Sequence, residues 1–122
     1  METHGVTLDP ARRDEAIDAG WRAYADQLPG LESDYRAACE RWQVVAVVAD
    51  EVIGALFVDG DVIHLGIVPE WRKRWASRRL LREMLSYGQR TELLVGDSAE
   101  FVERIGRFEP AFRWQLRERS CQ

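Results

Sequence analysis

Apolar residues gather near the middle of the chain into short stretches separated by turn residues. Val44 to Ala49 is a continuous run rich in Val, the pattern of a strand buried on both faces. Asp50-Glu51 then makes a tight connection to a second strand, Val52 to Val58. Asp59-Gly60-Asp61 predicts a hairpin turn, because Asp-Gly readily takes the positive φ such turns need. Val62 to Val68 is a third strand, closed by Pro69. Adjacent strands on short turns predict an antiparallel meander.

The flanks change period. Val6 to Leu8 reads as a short first strand, and Asp9-Pro10 as a helix start with Asp9 as N-cap. Ala16, Ile17, Gly20, Trp21, Tyr24 and Ala25 recur at spacings of three and four, which predicts an amphipathic helix ending near Leu28-Pro29-Gly30. A second helix is predicted from Glu32 to Arg41, with Tyr35, Ala38, Cys39 and Trp42 on one side. After the meander, Glu70 to Gly88 reads as one helix with Ala76, Leu80, Leu81, Met84 and Leu85 as its apolar stripe and Gly88 as its stop. Glu92 to Val95 is a strand. Asp97, with Glu100 as its capping-box partner, opens a helix from Ser98 to Ile105 that stops at Gly106. Phe108 to Leu116 is mostly extended, with a break at Pro110. The expected order is β, α, α, β, β, β, α, β, α, β. The strand–helix–strand unit from Val62 to Val95 is expected to be a right-handed crossover, which makes its two strands parallel inside a mixed sheet.

A length of 122 residues fits one domain, spanning 1–122, that folds without a metal or a disulfide. With 46% hydrophobic and 31% charged residues, the composition is that of a globular protein. No apolar run approaches the roughly 18 residues of a membrane span. Met1-Glu2-Thr3-His4 has neither a basic nor an apolar leader pattern, so a cytoplasmic protein with reduced Cys39 and Cys121 is expected. No Cys–His spacing resembles a zinc site. The net charge of −4 argues against a general nucleic-acid binder. Arg nevertheless dominates from Arg72 onward, while Asp and Glu dominate the first half.

That asymmetry matters at one place. If the helix begins near Glu70, then Arg72, Lys73 and Arg74 lie in its first turn, where the macrodipole is positive and each cation is unfavourable by about 0.3–1 kcal/mol. Helix N-terminal amides form a natural anion site, so a bound phosphate would reverse the penalty. A solvated basic face that tolerates the cost explains the pattern equally well.

The same stretch resembles the central motif of the GNAT acetyltransferase superfamily. Ile67-Val68-Pro69 matches the strand end of that motif, Arg72 its first turn position and Leu80-Leu81 its paired leucines. The order of elements is similar too, and Phe101-Val-Glu-Arg-Ile-Gly-Arg-Phe resembles the family's closing helix. The resemblance spans roughly Val6 to Leu116. It implies an α/β (α+β) fold, with a mixed sheet carrying helices on both faces. It implies acetyl-CoA as cofactor, with the pyrophosphate held by the turn Arg72, Lys73, Arg74, Trp75, Ala76 and Ser77. It places the pantetheine arm along Leu65, Ile67 and Val68, where two strands splay apart, and makes an amine the acyl acceptor. The chain departs from the motif in that Trp75 stands at the first Gly position, Ser77 at a Gly/Ala position, and Val102 where the family often has an acidic Tyr. Gly is used in such turns because backbone must approach phosphate closely.

Other residues have two readings each. His64 is mid-strand at a level where a catalytic base can sit, and its side chain suits proton transfer near neutral pH. A structural role for a strand histidine is the competing reading. Glu51, Asp59 and Asp61 fit turn chemistry, and Asp97 fits a cap. The five tryptophans fit core packing, except that Trp71 and Trp75, one helical turn apart, predict a protein-partner surface if both are exposed. Three functions follow: an acetyl-CoA-dependent N-acyltransferase, a catalytically inactive GNAT-like binding or structural protein of the kind found in tailed phages and their virions, and, third, nucleic-acid binding through Arg72 to Arg82.

Overall fold

The computed structural model describes residues 5–24, 32–72, 74–94 and 113–117. In chain order they form β1 (Thr7–Asp9), α1 (Arg13–Tyr24), α2 (Glu32–Cys39), β2 (Gln43–Val48), β3 (Val52–Asp59) and β4 (Val62–Ile67). A single 3-10 turn (Pro69–Trp71), α3 (Arg78–Leu85), β5 (Arg90–Leu94) and β6 (Arg113–Arg117) follow. The strands form one six-stranded sheet whose spatial order is the chain order. β1 to β4 pair antiparallel, and β4–β5 and β5–β6 pair parallel. The chain is thus an α+β protein with a mixed sheet, and the expected meander and parallel crossover are both present. The expected helix Ser98 to Ile105, with Asp97, Glu100 and Val102, lies outside the described residues, as do Lys73, Cys121 and the segment around Pro29.

The meander forms for the reasons its sequence carries. β3 is buried along Val52–Val58, so both faces of the sheet are covered. Gly60 takes φ 63 in the turn that joins β3 to β4, a conformation that side chains rarely adopt. β2 and β3 are in register from Gln43↔Val58 to Val47↔Gly54, with a shift between Val47 and Val48.

Helix α1 lies on the face of Ala55 and Phe57. It approaches closely because its buried positions are Ala16, Ile17, Ala19, Gly20 and Ala23, most of them small. Tyr35 of α2 donates its hydroxyl to the Ile17 carbonyl at 2.7 Å, and its ring meets Trp21 at 5.6 Å and Phe57 at 6.1 Å. Trp42 meets Phe57 at 5.9 Å. Core packing therefore accounts for Trp21 and Trp42. Cys39 is buried in the same region; burial pushes its thiol up, and a hydrogen bond with Tyr35 opposes that. Arg13 donates to the carbonyls of Cys39 at 2.5 Å and Trp42 at 3.2 Å, closing the C-terminal end of α2. Strand alternation puts Ile63 on the opposite face, where Gly88, just past α3, sits against Asp61 and Ile63.

Two helix starts differ from expectation. Asp9 is the last residue of β1, paired with Ala46, and lies four residues before the start of α1, too far to be its N-cap. Its carboxylate accepts from the Ala11 N–H at 2.9 Å in a local turn, and α1 begins at Arg13. The larger correction concerns the helix expected from Glu70. After Pro69 the amides of Trp71, Arg72 and Arg74 bond three residues back, to Val68, Pro69 and Trp71, and residues 75–77 are not helical. Ser77 is extended at φ −147, ψ 161, and its Oγ accepts the Leu80 N–H at 3.1 Å, so α3 starts at Arg78. Trp75 supplies the physical reason. On a continuous helix at about 100° per residue, it would point about 140° away from Leu80. Trp75, Leu80, Leu81 and Met84 are all buried, and the break in the helix allows it. Ala76, expected in the apolar stripe, is exposed.

Candidate functional site

The candidate site lies where β4 hands over to α3. The Val68 N–H donates to the Ile53 carbonyl of β3 at 2.9 Å. In an antiparallel ladder this bond sets the alternation: Val62, His64, Gly66 and Val68 aim their backbone groups at β3, and Ile63, Leu65 and Ile67 aim theirs at the β5 side.

On that side β4 and β5 are bridged at Val62↔Arg90. The bridge is anchored by the amides of Gln89 and Arg90, both bonded to the Asp61 carbonyl at 3.1 Å, and by Gln89 N–H on the Asp61 carboxylate at 3.0 Å. Among the described residues the ladder goes no further up the two strands, whereas β5 stays paired with β6 from Arg90 to Leu94. The sheet therefore has a wedge between β4 and β5, closed at Val62, whose described walls end at Gly66 and Leu94, one level short of Ile67. Asp61, expected as a turn residue, also ties the hairpin to β5.

The residues singled out in the sequence divide on inspection. The backbones of Leu65 and Ile67 face the β5 side. Val68 does not, since its amide serves β3. Arg72 is half-buried, with Nε on the Ile67 carbonyl at 3.1 Å and Nη2 on the Ala23 carbonyl of α1 at 2.7 Å. Arg74 is exposed and stacks over the Trp71 ring, 4.3 Å from its centroid. Trp75 is 7% exposed and belongs to the core, so Trp71 and Trp75 do not form an exposed pair. Ser77 caps α3. The basic first turn expected at Arg72 to Arg74 is replaced by one at Arg78 and Arg79, both exposed, with no acidic residue in that turn. Arg79 lies 3.8 Å from Glu83, a long and exposed pair of little energetic weight. The cations therefore do sit at the positive end of a helix, but a turn later in the chain. Ser77 three residues before Leu80 was the available signal for that start.

His64 is half-buried and directly opposite Phe57, which puts it on the α1 face of the sheet rather than in its plane with the wedge. Glu51 and Asp59 are exposed at the ends of β3. Among the described residues no group of His, Cys, Asp and Glu side chains could hold a metal ion. No described helix is long and apolar enough to cross a membrane. No protein-family model matches the chain, and no curated protein or solved structure matches it either.

Proposed function

We propose that the chain is a GNAT-type acyltransferase-like domain that binds an acyl-CoA, with acetyl-CoA as the first ligand to test. The observation that carries this reading is the end of the β4–β5 ladder after Val62↔Arg90. A parallel pair that parts in this way offers backbone groups along the gap to an extended ligand arm carrying amides, as an added strand would use them. The start of α3, with Arg78 and Arg79, provides amides and cations for a pyrophosphate at the same end of the sheet. Bound acetyl-CoA would supply an acyl group already activated as a thioester. The chain's part is to orient that group beside an amine substrate and exclude water. A water takes the proton from the amine, or His64 if the amine approaches from the α1 face. Calorimetry with acetyl-CoA tests the binding: heat at micromolar to millimolar ligand is expected, and no heat together with no thermal shift overturns it.

A second reading, binding without turnover, is favoured by what the turn residues do. Arg72, Trp75 and Ser77 are all committed to structure. In that case the domain serves as a binding or structural protein, and a virion component is one such role. Acetyl transfer to a panel of amines separates the two, since saturable ligand binding with no release of free thiol supports the inactive domain.

A further inference from the structure

α2 is fastened less firmly than the helix that follows the meander. Of its eight residues only Cys39 is buried, while Tyr35 and Ala38 are half-buried. α3 has the same length and buries Leu80, Leu81 and Met84. Tyr35 ties α2 to α1 and the sheet, through its hydroxyl on the Ile17 carbonyl at 2.7 Å and its ring against Trp21 and Phe57. Arg36 pairs with Asp18 of α1 at 2.8 Å, but both side chains are exposed, at 43% and 64%, so the pair has little energetic weight. Arg36 also pairs with Glu32, which is on α2 itself and fastens nothing to α1. At the C-terminal end, Arg13 of α1 holds the carbonyls of Cys39 and Trp42. A helix this short is not stable by itself in water, so α2 melts when it lifts.

We infer that α2 is a detachable cover: it unfolds locally as one unit while α1 and the sheet stay folded, the Tyr35 hydroxyl and the Arg36–Asp18 pair are its latch, and its opening bares the Cys39 thiol and the rings of Trp21 and Phe57. Segments that open in this way are those with few buried apolar contacts, which describes α2 and not α3. Cys39 is the last residue of α2 and is 0% exposed, so a reagent reaches its sulfur only in the open state. The inference stands apart from the acyl-CoA reading, because none of these contacts involves β4 or β5.

The test follows labelling of Cys39 by the aromatic disulfide dithiobis-nitrobenzoate in the full chain carrying Cys121→Ser, which leaves one thiol. The Cys39 thiolate attacks the reagent's disulfide, a mixed disulfide forms, and the aromatic thiolate leaves. In native buffer the rate is expected to exceed, by about a hundredfold or more, the rate that global unfolding measured in urea allows. Tyr35→Phe keeps the ring and is expected to speed labelling about two- to tenfold. Asp18→Asn spares the Arg36–Glu32 pair and is expected to speed it about twofold. Hydrogen exchange reads the same opening without the thiol. The amides of Arg36 to Cys39 should lose protection together, at about a hundredth of the protection of Val45 and Leu56, and Tyr35→Phe should lower it in α2 alone. Labelling no faster than global unfolding, or protection in α2 equal to that of Val45 and Leu56, overturns the inference. So does a Tyr35→Phe protein in which α2 and the core loosen equally, or one in which neither changes.

Discussion

Trp75→Ala is expected to remove about 3–5 kcal/mol of stability, the range for truncating a large buried aromatic. Trp75 is 7% exposed and sits in the same core cluster as Leu80, Leu81 and Met84. A domain of this kind has about 5–15 kcal/mol in total, so the variant loses between about a fifth and all of it. Urea denaturation followed by far-ultraviolet circular dichroism checks this. Trp75→Phe should keep part of the loss back, because a smaller ring still fills some of the space. A loss below about 1 kcal/mol for Trp75→Ala would mean that the ring is not a core element. The helix break at residues 75–77 would then have no cause.

Gly54→Ala is expected to be nearly as damaging, although it adds a single methyl group. A Cβ at Gly54 collides with the Gly66 carbonyl oxygen and comes within 2.9 Å of Ile67 Cδ1. Both belong to β4, and one of them is backbone, so no rotamer change relieves the clash. The strands β3 and β4 must move apart, which places the cost at about 3 kcal/mol, the upper end for overpacking. The entropic gain of replacing Gly, about 0.4–1 kcal/mol, does not offset it. Thermal denaturation of Gly54→Ala beside Gly60→Ala separates the causes. Nothing lies within 4 Å of a Cβ at Gly60, so its penalty comes from φ alone. A Gly54→Ala protein as stable as wild type would contradict the β3–β4 register.

How much was legible follows from the range of each interaction. The meander was readable because local signals agree: Val-rich runs, a Pro stop and an Asp-Gly turn. α1 was readable in its apolar face but not in its start, because Asp9 is claimed by a strand pairing with Ala46, some 37 positions away by subtraction of residue numbers. The start of α3 was misplaced for a similar reason. The stripe Leu80, Leu81, Met84 can be extended backwards to Ala76 on paper, and only the burial of Trp75 shows that the helix stops first. At the site, the residue types were informative and their roles were not. Arg72 reads as a free cation in the sequence, yet its partners include the backbone carbonyls of Ile67 and Ala23. Backbone acceptors leave no trace in residue identity. The end of the β4–β5 ladder after Val62↔Arg90 is equally silent in composition.

An amide-resolved NMR titration with acetyl-CoA tests the central claim most directly. Binding between β4 and β5 predicts saturable shifts at Leu65, Ile67 and Arg90, extending to Arg78 and Arg79, with Thr7 to Asp9 on the far edge of the sheet unmoved. Shifts confined to that far edge, or no shifts at millimolar ligand, would contradict it.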